Sequence, residues 1–192
     1  WNPAVFGPAS AWPPPATAPV PIERSEWSRF TTDEAFRAAV QLRVEVARDL
    51  LRSLEVDTPR VLQLQSRAGL LAHLLAESGL GVTAVDTDPH AIELARSVTA
   101  RRGGNAPIYL EQRGRTIPIE DGSTDVVIAF DVVETHANPV ALFREARRVL
   151  APDGVLLILS RERASSTIPD ADAHHPYMPH DLAAQLRATR CF

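Results

Sequence analysis

A histidine follows one apolar stretch of the sequence closely enough to suggest chemistry. His136 lies shortly after Phe130, and Asp131 lies between them. Imidazole titrates near neutral pH, so a histidine within reach of a substrate hydroxyl can act as a general base. The alternative is a histidine whose hydrogen bonds hold its own loop, and we favour that alternative. The sequence therefore gives no catalytic assignment.

A second group of polar residues lies near the end of the chain. It comprises Asp170, Asp172, His174, His175 and His180. Nitrogen and oxygen ligands of this kind bind zinc, but the spacing matches no standard zinc motif. We expect a polar loop and no metal. The single cysteine, Cys191, excludes a disulfide framework and a cysteine-based zinc site, and no base is identifiable beside it.

Apolar periodicity predicts an alternation of strands and helices through most of the chain. The predicted strands are 61–64, 81–85, 107–110, 125–130 and 154–159, and the predicted helices are 70–78, 89–102, 139–150 and 182–189. Such alternation indicates βαβ units and right-handed crossovers. It predicts an α/β fold with a Rossmann-like, doubly wound, mostly parallel sheet and helices on both faces. A ligand would then lie beyond the carboxyl ends of the strands.

The N-terminal part of the chain has a different character. Residues 1–21 contain seven prolines and predict an extended, polyproline-like tail. A capping box with Thr31 as N-cap and Glu34 three residues later predicts a helix that ends near Val56. We therefore divide the chain into a tail (1–24), an N-terminal helical segment (25–57) and a Rossmann-like domain (58–192).

Composition excludes several classes of protein. The chain has 192 residues and a net charge of −4, so its overall field does not attract nucleic acid. No apolar run is long enough to cross a membrane, and no signal peptide is recognisable. These features predict a cytoplasmic protein that binds neither nucleic acid nor a membrane.

Three segments of the sequence resemble one enzyme family. They are VTAVDTD (82–88), IPIEDGSTDVV (117–127) and FREARRVLAPDG (143–154). Together they resemble the second strand, the loop before the fourth strand and the turn into the fifth strand of class I S-adenosylmethionine-dependent methyltransferases. The resemblance implies S-adenosylmethionine as cofactor and a sheet of seven strands. The chain ends where the sixth strand would begin, so we expect the last two strands to be absent or to lie in a part not given.

The segment after the first strand departs from the family pattern. The family places an acidic residue and then three alternating glycines here, and the resemblance aligns Gln63 with the acid and Gln65, Arg67 and Gly69 with the glycines. Only Gly69 matches. Glycines allow left-handed backbone and close approach of a ligand, whereas Gln65 and Arg67 add bulk. Gln63 also lacks the charge that would favour the cofactor's ammonium group.

The remaining cofactor positions are mixed. The resemblance implies that Asp86 accepts hydrogen bonds from the ribose hydroxyls, with Thr87 beside it, although Asp86 is equally interpretable as a cap or turn residue. Arg113 aligns with an aspartate that the family uses to bind the adenine amino group. An arginine cannot accept that hydrogen bond.

Two functional hypotheses follow from this mixture. The first is a non-catalytic, pseudoenzyme subunit with a degenerate cofactor site, which stabilises or regulates a protein partner such as a homologous active methyltransferase. Its contact surfaces would be the proline-rich tail, the helix from Thr32 and an open sheet edge. The alternative is an active methyltransferase with a small-molecule acceptor.

Overall fold

The protein is seen here as a computed structural model, which describes residues 25–54, 56–133, 139–160, 183–184 and 186–187. Five helices and five strands alternate along these residues. They are α1 (Glu26–Thr32), α2 (Glu34–Ser53), β1 (Arg60–Leu64), α3 (Leu70–Glu77), β2 (Gly81–Asp86), α4 (Pro89–Arg102), β3 (Ile108–Glu111), β4 (Thr124–Phe130), α5 (Pro139–Val149) and β5 (Leu150–Leu159).

The five strands form one parallel sheet in the order β3-β2-β1-β4-β5. The order reverses between β1 and β4, where the chain leaves one half of the sheet and begins the other. In open α/β sheets, ligands bind at the carboxyl ends of the strands beside such a reversal. The sheet confirms the predicted Rossmann-like fold, and it places the loop after β1 at the position where a ligand is expected.

Helices cover both faces of the sheet, and this explains the apolar character of the central strands. On one face Val61, Ala84 and Ile128 pack with α2, α3 and α4. On the other face Leu62 and Val127 pack with α5. The alternation of these side chains along each strand sends successive residues into opposite cores.

The start of the N-terminal helix differs from the predicted capping box. Thr31 lies in the last turn of α1, and its hydroxyl donates to the Ser28 carbonyl oxygen. Asp33 is the N-cap of α2 instead, because its side chain accepts from the Phe36 amide at 2.9 Å. The prediction of Thr31 as N-cap was wrong, since a separate short helix precedes the long one and an aspartate caps equally well.

The other predicted elements agree with the structure within a few residues. α2 ends at Ser53 rather than near Val56, and β5 begins at Leu150 rather than at Gly154. A pairing of Leu150 with Thr124 and an irregular register before Val126 extend β5 backwards. The predicted tail, the metal-ligand cluster of residues 170–180 and most of the predicted helix 182–189 lie outside the described residues.

Two features are absent from the described residues. None of the described helices combines the length and the apolar character that a membrane crossing requires. Within the same residues, no group of three or more histidine, cysteine, aspartate or glutamate side chains could hold a metal ion.

Candidate functional site

The loop after β1 has left-handed backbone at alternate positions. Gln65 has φ 48°, Arg67 has φ 51° and Gly69 has φ 79°. Side chains rarely adopt such angles, and glycine is the residue that adopts them at little cost. Gln65 and Arg67, which align with two of the family's glycines, therefore have the left-handed backbone that glycine favours. The expectation that their side chains add bulk at the approach to the loop is separate from this backbone conformation.

Gly69 is the position in this loop where a side chain has no room. A Cβ atom there would lie 2.5 Å from the Tyr109 hydroxyl oxygen. That hydroxyl lies 3.0 Å from Thr99 Oγ1 and 3.2 Å from the Gly69 carbonyl oxygen. Gly69 therefore closes the loop against β3 and α4, which explains why it is present where the other two glycines are not.

Asp86 fixes the loop after β1 from the neighbouring strand. Its Oδ2 accepts from the Arg67 amide at 2.7 Å, and its Oδ1 accepts from the Asp88 amide at 2.9 Å. The side chain is buried, and that burial raises its pKa, while the two amides act in the opposite direction. Asp88 is the N-cap of α4, so Asp86 is not the cap but a residue that joins two loops.

Gln63 lies inside β1, where the family places an acid. The residue is 5% exposed, and its Oε1 has no hydrogen-bond partner among the described residues. A buried carbonyl oxygen without a partner carries a free-energy cost of about 1–3 kcal/mol. Gln63 therefore presents an acceptor that a ligand's donor group would satisfy.

The helix α1 covers this loop. The Trp27 indole donates to the Ala68 carbonyl oxygen at 2.6 Å, and Trp27 is buried against Ala68 and Leu70. Next to it, Glu26 Oε1 accepts from the Leu70 amide at 2.8 Å, at the start of α3. Burial raises the pKa of Glu26 to about 7, against the lowering effects of the Leu70 amide and the Arg67 guanidinium. No motif in the sequence distinguished Glu26, so sequence reasoning missed it.

Two cavities adjoin at this edge of the sheet, and Glu26 and Arg67 line both of them. The larger, of about 570 Å³, extends from Gln63 and Gln65 to Phe36 and Phe130. The smaller, of about 270 Å³, lies against Asp86 and the start of α4. The structure thus brings Gln63, Gln65 and Asp86 to one cleft, and the cleft also has a lining of apolar side chains.

An ion pair crosses the side of the larger cavity that faces away from β2. Arg43 of α2 lies 2.9 Å from Asp131, which follows β4 and has φ 55°. Both side chains are about a quarter exposed. The pair therefore joins the covering helix to the carboxyl end of β4. His136, the candidate base, lies outside the described residues.

Three of the candidate cofactor residues, Gly69, Thr87 and Arg113, line neither cavity. Thr87 lies in the turn before α4, and it is absent from both linings. Arg113 is exposed, and it holds both oxygens of Glu111 at 2.9 and 3.0 Å. Its neighbour Gln112 is the buried residue of that loop, and its amide donates to the Asp86 carbonyl oxygen at 2.8 Å. The side chain of Arg113 thus points away from the cleft.

The fold and cleft agree with a comparison against known protein families. A protein-family model described as a methyltransferase domain matches residues 62–158, which run from β1 to β5. The chain belongs to the class I S-adenosylmethionine-dependent methyltransferase family. The resemblance found in its motifs is confirmed.

Individual relatives are more distant. The chain is 35% identical over 116 residues to an uncharacterized 37.1 kDa transposon protein of Streptomyces fradiae. The alignment covers 58% of this chain and 32% of that protein. It is 29% identical over 123 residues to a ubiquinone biosynthesis O-methyltransferase of Cereibacter sphaeroides. That alignment covers 64% of this chain and 49% of the relative. The chain thus matches a third to a half of the length of these relatives.

Solved structures of methyltransferases are also similar to this chain in fold, at low sequence identity. A putative sarcosine dimethylglycine methyltransferase from Galdieria sulphuraria superposes with a TM-score of 0.67. The superposition covers 80% of this chain and 63% of that chain, at 19% identity. At this identity the similarity shows the shared fold.

The residues of the cleft fit the family's cofactor. Residues 65, 67 and 69 all have left-handed backbone, which is a conformation that glycine adopts at little cost. Asp86 keeps a carboxylate at the end of β2, and Gln63 offers an unpartnered acceptor. Glu26 adds a second carboxylate, close enough to Arg67 for that guanidinium to lower its pKa.

Proposed function

We propose that this chain binds S-adenosylmethionine in the cleft between α1 and the carboxyl edge of the sheet and methylates a small, partly apolar acceptor. The observation that carries the proposal is the larger cavity, because one continuous lining joins the loop after β1 to apolar side chains of α2 and β4. The matched family and the loop's backbone shape support it.

The residues of the chain would divide the work of binding. When bound, the cofactor supplies an electrophilic methyl group. Asp86 accepts hydrogen bonds from the ribose, because each of its oxygens has one lone pair left beside the backbone amide it already holds. Phe36 and Phe130 exclude water from the acceptor's side of the cavity. Positioning of this kind is the main contribution that the protein makes to such a transfer.

A calorimetric titration of the full chain tests cofactor binding. We expect S-adenosylmethionine and S-adenosylhomocysteine to bind with dissociation constants of about 1–100 μM, equivalent to about 5–8 kcal/mol. Asp86→Ala should abolish binding, while Asp57→Ala, at an exposed position remote from the cleft linings, should leave it unchanged. The absence of binding to the wild type at millimolar cofactor would overturn the proposal.

A second function is favoured by a different observation. Leu42, Val46 and Leu159 are apolar, 60%, 42% and 37% exposed, and they line one shallow cavity between α2 and β5. Exposed apolar patches of this kind are typical of protein interfaces. Together with Arg67 in the cleft, the patch supports a non-catalytic subunit that stabilises or regulates a partner, such as an active homologous methyltransferase.

Sedimentation of the full chain, alone and mixed with a homologous active methyltransferase, tests this second function. A complex that Leu42→Arg disrupts, in a chain that does not bind the cofactor, would support a non-catalytic subunit. Arg48→Ala, on the same helix and outside the lining of the patch, is the control. A monomer in both experiments would exclude this function.

A further inference from the structure

The cofactor that we propose for this cleft carries a primary ammonium group on its methionine portion. In this family an acid near the end of β1 provides charge compensation, and here that position is Gln63. An amide oxygen accepts a hydrogen bond but contributes no charge. An ammonium group in a partly buried cleft without a carboxylate is costly. If the cofactor binds, a carboxylate from elsewhere in the chain must take the place of the missing acid.

Glu26 is the carboxylate with the right placement. It lines both cavities, whereas Asp86 lines the smaller one and Asp131 the larger one. Its Oε1 is held by the Leu70 amide, and no hydrogen bond to its Oε2 is found among the described residues. One oxygen therefore anchors the side chain, and the other is available to a ligand.

The position of Glu26 is fixed by its neighbour. Trp27 is 5% exposed, donates to the Ala68 carbonyl oxygen and makes an edge contact with the His73 ring. These contacts hold α1 against the loop after β1 and against the start of α3. A carboxylate held in this way loses little side-chain entropy when it binds a ligand.

No salt bridge to Glu26 is found among the residues that the structure describes. Arg67 lowers its pKa and Asp86 raises it, and neither forms a salt bridge with it. The other charged or titratable groups that line the two cavities are Arg29, Arg43, Asp88, His90 and Asp131. Arg29 and Arg43 are engaged by Asp33 and Asp131, at 3.4 and 2.9 Å.

We propose that the carboxylate of Glu26 binds the ammonium group of the cofactor's methionine portion, with Gln63 Oε1 as a second acceptor. This assignment rests on the proposed cofactor binding. It moves the anionic contact from the sheet to the covering helix α1, so that the same segment closes the cleft and recognises the ligand.

Proton release on binding is a direct consequence of this arrangement. Burial raises the pKa of Glu26 to about 7, so that both the protonated and the ionised side chain are present near neutral pH. An ammonium group beside the carboxylate favours the ionised form. Binding near neutral pH should therefore release part of a proton from Glu26 for each ligand bound.

The test uses two ligands that differ in the methionine portion. S-adenosylhomocysteine carries the ammonium group, and methylthioadenosine lacks it. Each is titrated calorimetrically into the wild type, Glu26→Gln and Glu93→Gln, at pH 7 in two buffers of different ionisation enthalpy. Glu26→Gln keeps the acceptor for the Leu70 amide, and Glu93 is exposed on α4.

We expect Glu26→Gln to weaken the binding of S-adenosylhomocysteine about tenfold, which corresponds to about 1.4 kcal/mol. The same substitution should remove the proton release. Methylthioadenosine should bind the two proteins equally, and Glu93→Gln should match the wild type for both ligands. The assignment of Glu26 would be overturned if the variant lost affinity equally for both ligands, as misfolding would cause, or lost none. Neither result would overturn the proposed function. Failure of the wild type to bind either ligand would overturn the proposed function as well.

Discussion

The loops after β1 and β2 lie side by side at the carboxyl edge of the sheet, and different physical causes determine their conformations. The loop after β2 contains the residues that its shape requires, with Asp88 as cap and Pro89 at the first turn of α4. The loop after β1 contains Gln65 and Arg67 at left-handed positions that favour glycine. Its conformation depends on contacts from outside, namely Asp86, Tyr109 and α1. Backbone shape can thus persist after the residues that most easily adopt it have changed.

The contact with Asp86 is the most important of these supports, and removing it should have the largest effect. Asp86→Ala leaves the amides of Arg67 and Asp88 without their acceptor. Since hydrogen bonds to a charged group contribute about 1.5–3 kcal/mol each, we expect a loss of about 4 kcal/mol in the free energy of unfolding. Urea denaturation at pH 7 measures this loss. The exposed control Asp57→Ala should change stability by less than about 0.5 kcal/mol, and a similar small change for Asp86→Ala would show that the loop supports itself.

Gly69→Ala tests the contact of the loop with β3. The new Cβ would lie 2.5 Å from the Tyr109 hydroxyl oxygen, at a residue with φ +79°. Left-handed strain and overpacking together should cost about 3 kcal/mol. Gly122→Ala is the matched control, because its φ is +65° and no atom lies within 4 Å of the new Cβ. We expect the control to lose about 1 kcal/mol from strain alone, and equal losses would contradict the role of Tyr109.

The pH dependence of stability tests the support from α1. The pKa of Glu26 rises from 4.5 to about 7 on folding, so the folded state binds more protons than the unfolded state between these values. Stability should therefore fall as pH rises from 4.5 to 7, by at most about 3 kcal/mol for this group.

Glu26→Gln should remove that contribution, so that the variant gains stability relative to the wild type between pH 5 and pH 8. Urea denaturation at four pH values measures the difference. Burial also raises the pKa of Asp86, but this slope is common to both proteins and cancels in the comparison. Glu93→Gln should follow the wild type, and a Glu26→Gln curve parallel to the wild-type curve would contradict the burial of this carboxyl.

The smallest effect should come from restoring the glycines. Gln65→Gly and Arg67→Gly relieve left-handed strain but increase the freedom of the unfolded chain, so each should stabilise by about 0.5 kcal/mol. Ala100→Gly, at an exposed position of α4, should destabilise by about 1 kcal/mol. Thermal unfolding distinguishes the two signs. If the loop glycines destabilise as much as the helix glycine does, positions 65 and 67 are not left-handed in solution.

The fold could be predicted because its signals are local. Apolar strands and the cap at Asp88 specify β2, α4 and the parallel sheet from short stretches of sequence. The N-cap of the long helix α2 was predicted wrongly because local signals alone do not identify it. Thr31 and Asp33 are equally good caps, and only the break between α1 and α2 decides between them.

The cleft was harder to predict because its key contacts join distant parts of the chain. Gln63, Gln65 and Asp86 were recognisable by their place near the carboxyl ends of strands, and all three line the cleft. Glu26 was not, because no local pattern relates it to Leu70. Arg113 was aligned to a cofactor position, yet its ion pair with Glu111 keeps it on the surface. Alignment gives a residue's place along the chain but not the direction of its side chain.

The contacts of the covering helices also set an order of events during folding. Trp27 and Glu26 reach partners 41 and 44 positions later in the chain, and Arg43 reaches Asp131 after 88 positions. In a growing polypeptide α1 and α2 therefore leave the ribosome before these partners, and α2 lacks its ion-pair partner until Asp131, after β4, has been synthesised. Contacts between distant positions form slowly because a long loop must close first. The cleft should accordingly assemble well after the helices that cover it have been synthesised.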